Sequence, residues 1–378
     1  MPSPAESLDG LRAAGLLRQQ HPLDSPTGTR VIRDGRSLWN FASNDYLGLA
    51  RHPRIEAALI EGVQRYGAGS AASRLVCGTL PPHRLLEDAI ATAKQTQAAL
   101  TFSSGFATAL GAIPAIVGKS DFILLDKLSH ACLVDAARLS GATLRVFPHN
   151  DLAKLARILA STRAKSAHAR ILVVTESVFS MDGDVCPLRE IVGLAEDYDA
   201  LLLVDEAHGF GVLGENGMGL AEQQGLQQRI PFQMGTLSKS AGLSGGYLAA
   251  SREWIDLLTN RARSFIYSTA PPPALAHAAL ASLDLIRSDE GKTLRQQLRQ
   301  NIALLSESPT PIIPLVLGSN EAALAAAAKL ENAGFLVPAI RFPTVPRGTA
   351  RLRVSLSAAH TRESILALGN FLELKVKS

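Results

Sequence analysis

Lys239 lies in Gly235-Thr236-Leu237-Ser238-Lys239-Ser240, a loop of small and hydroxyl-bearing residues. Upstream, the apolar run Leu201-Leu202-Leu203-Val204 ends in Asp205-Glu206-Ala207-His208-Gly209. An amine in a donor-rich loop and a carboxylate closing a buried strand are groups that a pyridoxal phosphate enzyme needs. The amine forms a Schiff base, the carboxylate meets the ring nitrogen, and the small donors suit a phosphate. Taken alone, a loop lysine is usually solvated and an aspartate after a strand often caps a helix. Together, and in this order, the two segments point to cofactor chemistry.

Other segments add to the set. Ser103-Ser104-Gly105-Phe106-Ala107 follows a strand and opens an apolar helix. Free backbone N–H groups at that positive helix end make a phosphate site, although taken alone ordinary capping is the commoner reason for serines there. His130, in Ser129-His130-Ala131, has the chemistry to stack on an aromatic cofactor or move a proton; a buried, hydrogen-bonded histidine is the alternative. His208, three residues after Asp205, is placed to contact the same ligand, and Ser180-Met181-Asp182-Gly183-Asp184 either lines the site or forms a structural turn. Gly67-Ala68-Gly69-Ser70-Ala71-Ala72 follows the helical pattern Ile55–Tyr66 rather than a strand, so a dinucleotide fingerprint is rejected in favour of a tight loop. In Arg351-Leu352-Arg353, alternation puts both arginines on one face. An inward arginine can grip a carboxylate, whereas an outward one is a solvated edge.

The elements that must position these groups are short apolar runs alternating with helical patterns. Candidate strands are Ala99–Phe102, Phe122–Asp126, Leu144–Phe147, Ile171–Thr175, Leu201–Asp205 and Tyr247–Ala250. Over Pro187–Tyr198 a helix is predicted, with Leu188, Ile191, Val192 and Ala195 on one face. Such alternation predicts an α/β fold with a mainly parallel sheet, whose ligands bind beyond the C-terminal strand ends. Asp126, Thr175 and Asp205 occupy such ends. Further on, Ile286–Leu305 reads as a charged helix, Pro309–Pro314 as a rigid connector, Glu321–Ala333 as an alanine-rich helix and Arg351–Leu356 as a strand. The expected organisation is an N-terminal arm (1–44), a large domain (45–285) and a smaller C-terminal α+β domain (286–378).

Lysine and arginine exceed aspartate and glutamate only by 38 to 34, the charges are scattered, and aromatics are few. This speaks against nucleic-acid binding and is compatible with weak steering of an anionic substrate. Three cysteines without a close pair argue against a disulfide framework or a metal site. No charged start followed by an apolar core opens the sequence, and no apolar run would span a bilayer, so a soluble cytoplasmic protein is expected.

The segments Asn44-Asp45-Tyr46-Leu47-Gly48, Ser177-Val178-Phe179-Ser180-Met181-Asp182-Gly183-Asp184, Asp205–Gly209, Gly235–Lys239 and Ser244-Gly245-Gly246-Tyr247 together resemble the α-oxoamine synthase family. These are fold-type I pyridoxal phosphate (PLP) transferases, and the likeness runs from about Arg18 to about Thr361. It implies Lys239 as the Schiff-base lysine, Asp205 as partner of the ring nitrogen, His130 stacked on the ring, and His208 at its phenolic oxygen. It also implies Gly105, Phe106 and Thr236 at the phosphate, with Ser180 lining the pocket. Asn44 and Arg353 would hold the amino-acid carboxylate, with Arg18 and Thr344 near the acyl substrate. The resemblance further implies a homodimer in which Ser268 and Thr269 reach the neighbouring subunit's phosphate.

Pro343-Thr344-Val345-Pro346 and Thr349-Ala350-Arg351-Leu352-Arg353 narrow the resemblance to the member that joins L-alanine to a pimeloyl thioester, of CoA or acyl carrier protein, on the route to biotin. Ile286–Gly291 and Arg18 point the same way. Glycine C-acetyltransferase is the rival within the family, and a non-catalytic partner subunit of the same fold is the rival outside it. Two stretches depart from the family pattern: Ala91–Gln97 lacks the usual apolar-aromatic character, and the chain between Leu305 and Pro314 is short.

Overall fold

Seven short runs pair into one sheet in the computed structural model, which describes residues 2–374. They are β1 (Ala98–Phe102), β2 (Phe122–Asp126), β3 (Thr143–Phe147), β4 (Ile171–Glu176), β5 (Leu201–Asp205), β6 (Phe232–Thr236) and β7 (Gly246–Ala250). Their order is β1-β7-β6-β5-β4-β2-β3. β2 to β6 are mutually parallel, and β7 is antiparallel to both its neighbours. Every residue of β1, β4, β6 and β7 is buried. Covering by helices on both faces is why such strands read as apolar runs instead of alternating.

β6 is absent from the strands expected above. Gln233 and Gly235 interrupt its apolar character, yet Gln233 is fully buried. Its amide donates to the carbonyls of Lys94 and Gln227 at 3.1 and 2.8 Å, which offsets the cost of burying it. The helix predicted around 187–198 spans Leu188–Asp197 with Pro187 as its N-cap, and it buries Leu188, Ile191, Val192 and Ala195 as the spacing required.

The chain divides into two compact units. One, Leu49–Ser180 with Asp184–Arg295, holds the seven-stranded sheet; the other comprises Met1–Gly48, Met181–Gly183 and Gln296–Ser378. In the second unit, strands Arg30–Arg33 and Arg36–Asn40 form a hairpin. Its turn residues Asp34 and Gly35 both have positive φ, 52° and 71°, which matches the twist of the flanking strands. The same unit contains an antiparallel sheet of Ile312–Gly318, Ala350–Ser355 and Ala339–Ile340 with Ala350–Ser355 in the middle. All six residues of that central strand are buried. Pro309–Pro314 is therefore only partly a connector, because Pro314 already lies within a strand. That strand is an edge, where a missing N–H is tolerated. Helices Asn320–Asn332 and Arg362–Phe371 also belong to this unit.

The single charged helix expected over Ile286–Leu305 is instead the end of helix Pro273–Arg287 and a second helix, Asp289–Ala303. Ser288 adopts extended backbone (φ −80°, ψ 173°) and breaks the run. N-terminal helix Pro4–Ala13 has no buried residue. Among the described residues no helix is long and apolar enough to cross a membrane.

Candidate active site

The ends of β4, β5 and β6 and the start of helix Gly105–Ile116 line a cavity of about 220 Å³ within the sheet-bearing unit. β5 delivers Asp205, whose Oδ1 accepts from Ala207 N at 2.9 Å as the chain turns. Burial pushes this carboxyl's pKa upward, and the Lys239 charge opposes the shift. The turn carries on to His208, which is 4% exposed. Its Nε2 lies 2.7 Å from Lys239 Nζ.

Lys239 stands on the loop between β6 and β7, which is held by its own backbone. Leu237 N donates to Gly245 O, Leu243 N to Leu237 O, and Gly242 N to Lys239 O. Gly242 is required: its φ is +71°, and an added Cβ would lie 2.4 Å from Ala50 N. Thr236 Oγ1 donates to Gly245 O at 2.8 Å and lies 2.8 Å from Ser238 Oγ.

Helix Gly105–Ile116 is capped by Ser104, whose hydroxyl accepts from Ala107 N at 3.0 Å. Gly105 and Phe106, at its first two positions, have N–H groups with no acceptor inside the helix. Both line the cavity beside Thr236 and Ser238. Gly246 lets the helix start approach the sheet this closely, because a Cβ there would lie 2.6 Å from Gly105 N.

His130 caps helix Ala131–Ser140 and contributes its ring to the cavity. Its backbone N–H donates to Glu176 Oε1. Its Nδ1 accepts from Cys132 N at 3.2 Å, so the neutral ring carries its proton on Nε2. Burial lowers the His130 pKa and keeps the ring neutral. A primary amine, a buried carboxylate and a cradle of helix-end N–H groups and hydroxyls thus share one cavity, and this set fits PLP.

The remaining expected residues lie elsewhere. Ser180 is buried but is not among the cavity-lining residues. Ser268 and Thr269 also lie outside the cavity of their own chain, on a segment bridged to Ser73 through Thr269. Asn44, Arg353, Arg18 and Thr344 belong to the other unit. There, Arg353 Nη1 donates to Asn44 Oδ1 at 3.1 Å and Ser355 Oγ at 2.7 Å, and Nη2 to Tyr46 OH at 3.3 Å. Arg18 Nη2 approaches Phe342 O at 3.4 Å and Thr344 Oγ1 at 3.5 Å. Arg351 shares the face of Arg353 but pairs with Asp182 at 2.5 Å, a structural bond.

Sequence reasoning missed Glu176 and Cys132, both of which line the cavity. Glu176 is the last residue of β4 and the register partner of Asp205. The expected strand stopped one residue short, at Thr175. Extending the apolar run to the acid that follows it would have found the residue.

The family model for aminotransferase class I and II matches residues 36–370, and the chain belongs to that family. Among curated relatives, the 8-amino-7-oxononanoate synthase of Geobacter metallireducens is 48% identical, the alignment covering 96% of this chain and 94% of the relative. The protein of the same name from a Methylobacterium species is 49% identical over 97% and 95%. In structure, the chain is similar to a serine palmitoyltransferase from S. paucimobilis solved with PLP and myriocin bound, with a TM-score of 0.91, 29% identity, and coverage of 98% and 95%.

Proposed function

We propose that this chain is an 8-amino-7-oxononanoate synthase. It condenses L-alanine with a pimeloyl thioester, releasing CO₂ and the free thiol, on the route to biotin. The observation that carries the reading is likeness at 48–49% identity along almost the whole chain to relatives of that name. It is joined to a cavity that holds Lys239, Asp205, His130 and His208 together.

When bound, PLP supplies an aldehyde that captures amines and a conjugated ring that delocalises electrons left on the amino acid's Cα. Lys239 Nζ would hold the cofactor, and its amine is the group available to act on the bound amino acid. That amine removes the Cα proton. His208 Nε2, already within hydrogen-bond distance, orients that amine. Asp205 holds the proton of the ring nitrogen. Gly105, Phe106 and Thr236 would hold the phosphate. Arg353 and Asn44 hold the alanine carboxylate, which leaves as CO₂. His130 donates from Nε2 to the thioester oxygen as negative charge develops there. Arg18 and Thr344 receive the acyl group.

The chain acts as a homodimer, with Ser268 and Thr269 reaching the partner's phosphate. Exposure of Val76 (79%) and Tyr267 (72%), on segments joined by the Ser73–Thr269 bridge, supports this. Its place is the cytoplasm, since the free cysteines suit a reducing compartment.

The test is product analysis with L-alanine and pimeloyl-CoA, pimeloyl carrier protein, and glycine with acetyl-CoA. The expected product is 8-amino-7-oxononanoate, and Lys239→Ala should lower its formation by at least about a thousandfold. Preferential use of glycine and acetyl-CoA, or near wild-type turnover by Lys239→Ala, would overturn the assignment.

A further inference from the structure

Asp126, Glu176 and Asp205 stand at the C-terminal ends of three neighbouring strands, β2, β4 and β5, and each is no more than 5% exposed. Two of these acids are individually compensated. Asp126 accepts from Leu128 N at 2.8 Å and Asn150 N at 2.9 Å, and it pairs with His149 at 3.0 Å. Asp205 accepts from Ala207 N and faces the Lys239 charge. Glu176, between them in the strand order, is not. Among the described residues its carboxyl has one hydrogen bond, from His130 N, and no ion pair.

Glu176 and Asp205 are direct register partners on adjacent parallel strands, so their side chains share one face of the sheet. Two buried carboxyls on the same face of adjacent strands oppose each other's ionisation, and the Asp205 charge raises the pKa of Glu176. Asp205 has the nearby cation, so the proton belongs on Glu176.

We propose that Glu176 is a positioning residue held as a neutral carboxylic acid. It fixes the backbone that carries His130, and by staying uncharged it leaves Asp205 the sole anion offered to the cofactor ring nitrogen. Burial and then the Asp205 charge lift the Glu176 pKa to about 8, with Asp126 adding to the rise and the His130 N–H and Lys239 opposing it. The other groups facing this corner are the neutral His130, the thiol of Cys132, which burial keeps protonated, and His208. Ionisation of Glu176 puts a second negative charge beside Asp205. That charge draws Asp205 toward protonation and loosens its hold on the ring nitrogen.

The inference rests on reading the cavity as the PLP site. The infrared arm of its test uses the holoenzyme without acyl substrate, so an error in the substrate assignment would show separately, in the turnover arm alone. Infrared titration of holoenzyme labelled with carboxyl-¹³C glutamate should reveal a protonated-acid carbonyl band at neutral pH. The band should move with the label, disappear with a midpoint near pH 8, and be missing in Glu176→Gln. Between pH 7 and pH 9, kcat of the wild type should fall by about tenfold, as expected for a group of this pKa passing from mostly protonated to mostly ionised. In Glu176→Gln, which cannot ionise, that ratio should flatten toward one. A wild type without the band, a band that survives in Glu176→Gln, or the same alkaline fall in both proteins would overturn the proposal. The labelled wild type decides the protonation state even where Glu176→Gln does not fold.

Discussion

Replacing His149 by glutamine removes a charge whose contribution to stability can be worked out from its neighbours. His149 Nδ1 lies 3.0 Å from Asp126 and Nε2 lies 2.6 Å from Asp184. Burial alone would lower the imidazole pKa, but the hydrogen bonds to both carboxylates and their charges outweigh it and raise the value to about 10. The unfolded value is 6.5, a difference of roughly 3.5, and at 1.36 kcal/mol for each pKa unit this is worth about 5 kcal/mol in full. At pH 7 the unfolded ring is already mostly neutral, which trims the figure to about 4 kcal/mol. The imidazole is 25% exposed and Asp184 40% exposed, and solvent screening of that order leaves about 2 kcal/mol.

The sign follows from the raised folded-state pKa. The stabilisation is complete below pH 6.5 and is lost as pH climbs through about 10. Equilibrium urea unfolding of the wild type and His149→Gln should therefore differ by about 2 kcal/mol at pH 7 and by less than about 0.5 kcal/mol at pH 10. Comparing the two proteins at each pH cancels the titration of every other group. A gap of equal size at both pH values would refute the reasoning, because lost packing or hydrogen bonding alone does not vary with pH.

Two further outcomes are expected. Arg353→Lys keeps the charge but loses the planar fork that reaches Asn44, Ser355 and Tyr46, so KM for alanine should rise by about tenfold or more with a smaller change in kcat; steady-state kinetics with varied alanine checks this. Gly242→Ala places a Cβ 2.4 Å from Ala50 N at a φ of +71° and should cost at least about 2 kcal/mol, read as a lower urea midpoint.

Much of the site was legible because its signals are local. Asp205 closes an apolar run, Lys239 lies in a loop of small hydroxyl-bearing residues, the Ser103–Ala107 stretch is both a cap and a helix start, and the buried face of Leu188–Asp197 follows from its 3.6-residue spacing. The hairpin Arg30–Asn40 was missed: its segment is expected to be an arm, although Asp34-Gly35 is a turn signal.

What the sequence could not disclose depends on neighbours distant along the chain. β6 looks too polar to be a central strand until Lys94 and Gln227 supply acceptors for Gln233. Arg351 and Arg353 have the same periodicity, and only packing gives one Asp182 and the other Asn44 and Tyr46. Glu176 is an unremarkable acid until parallel register brings it opposite Asp205. Residue type and local spacing determine which side chains can do chemistry. Pairing, burial and the resulting dielectric are properties of the folded chain, and they decide which of those groups carry charge.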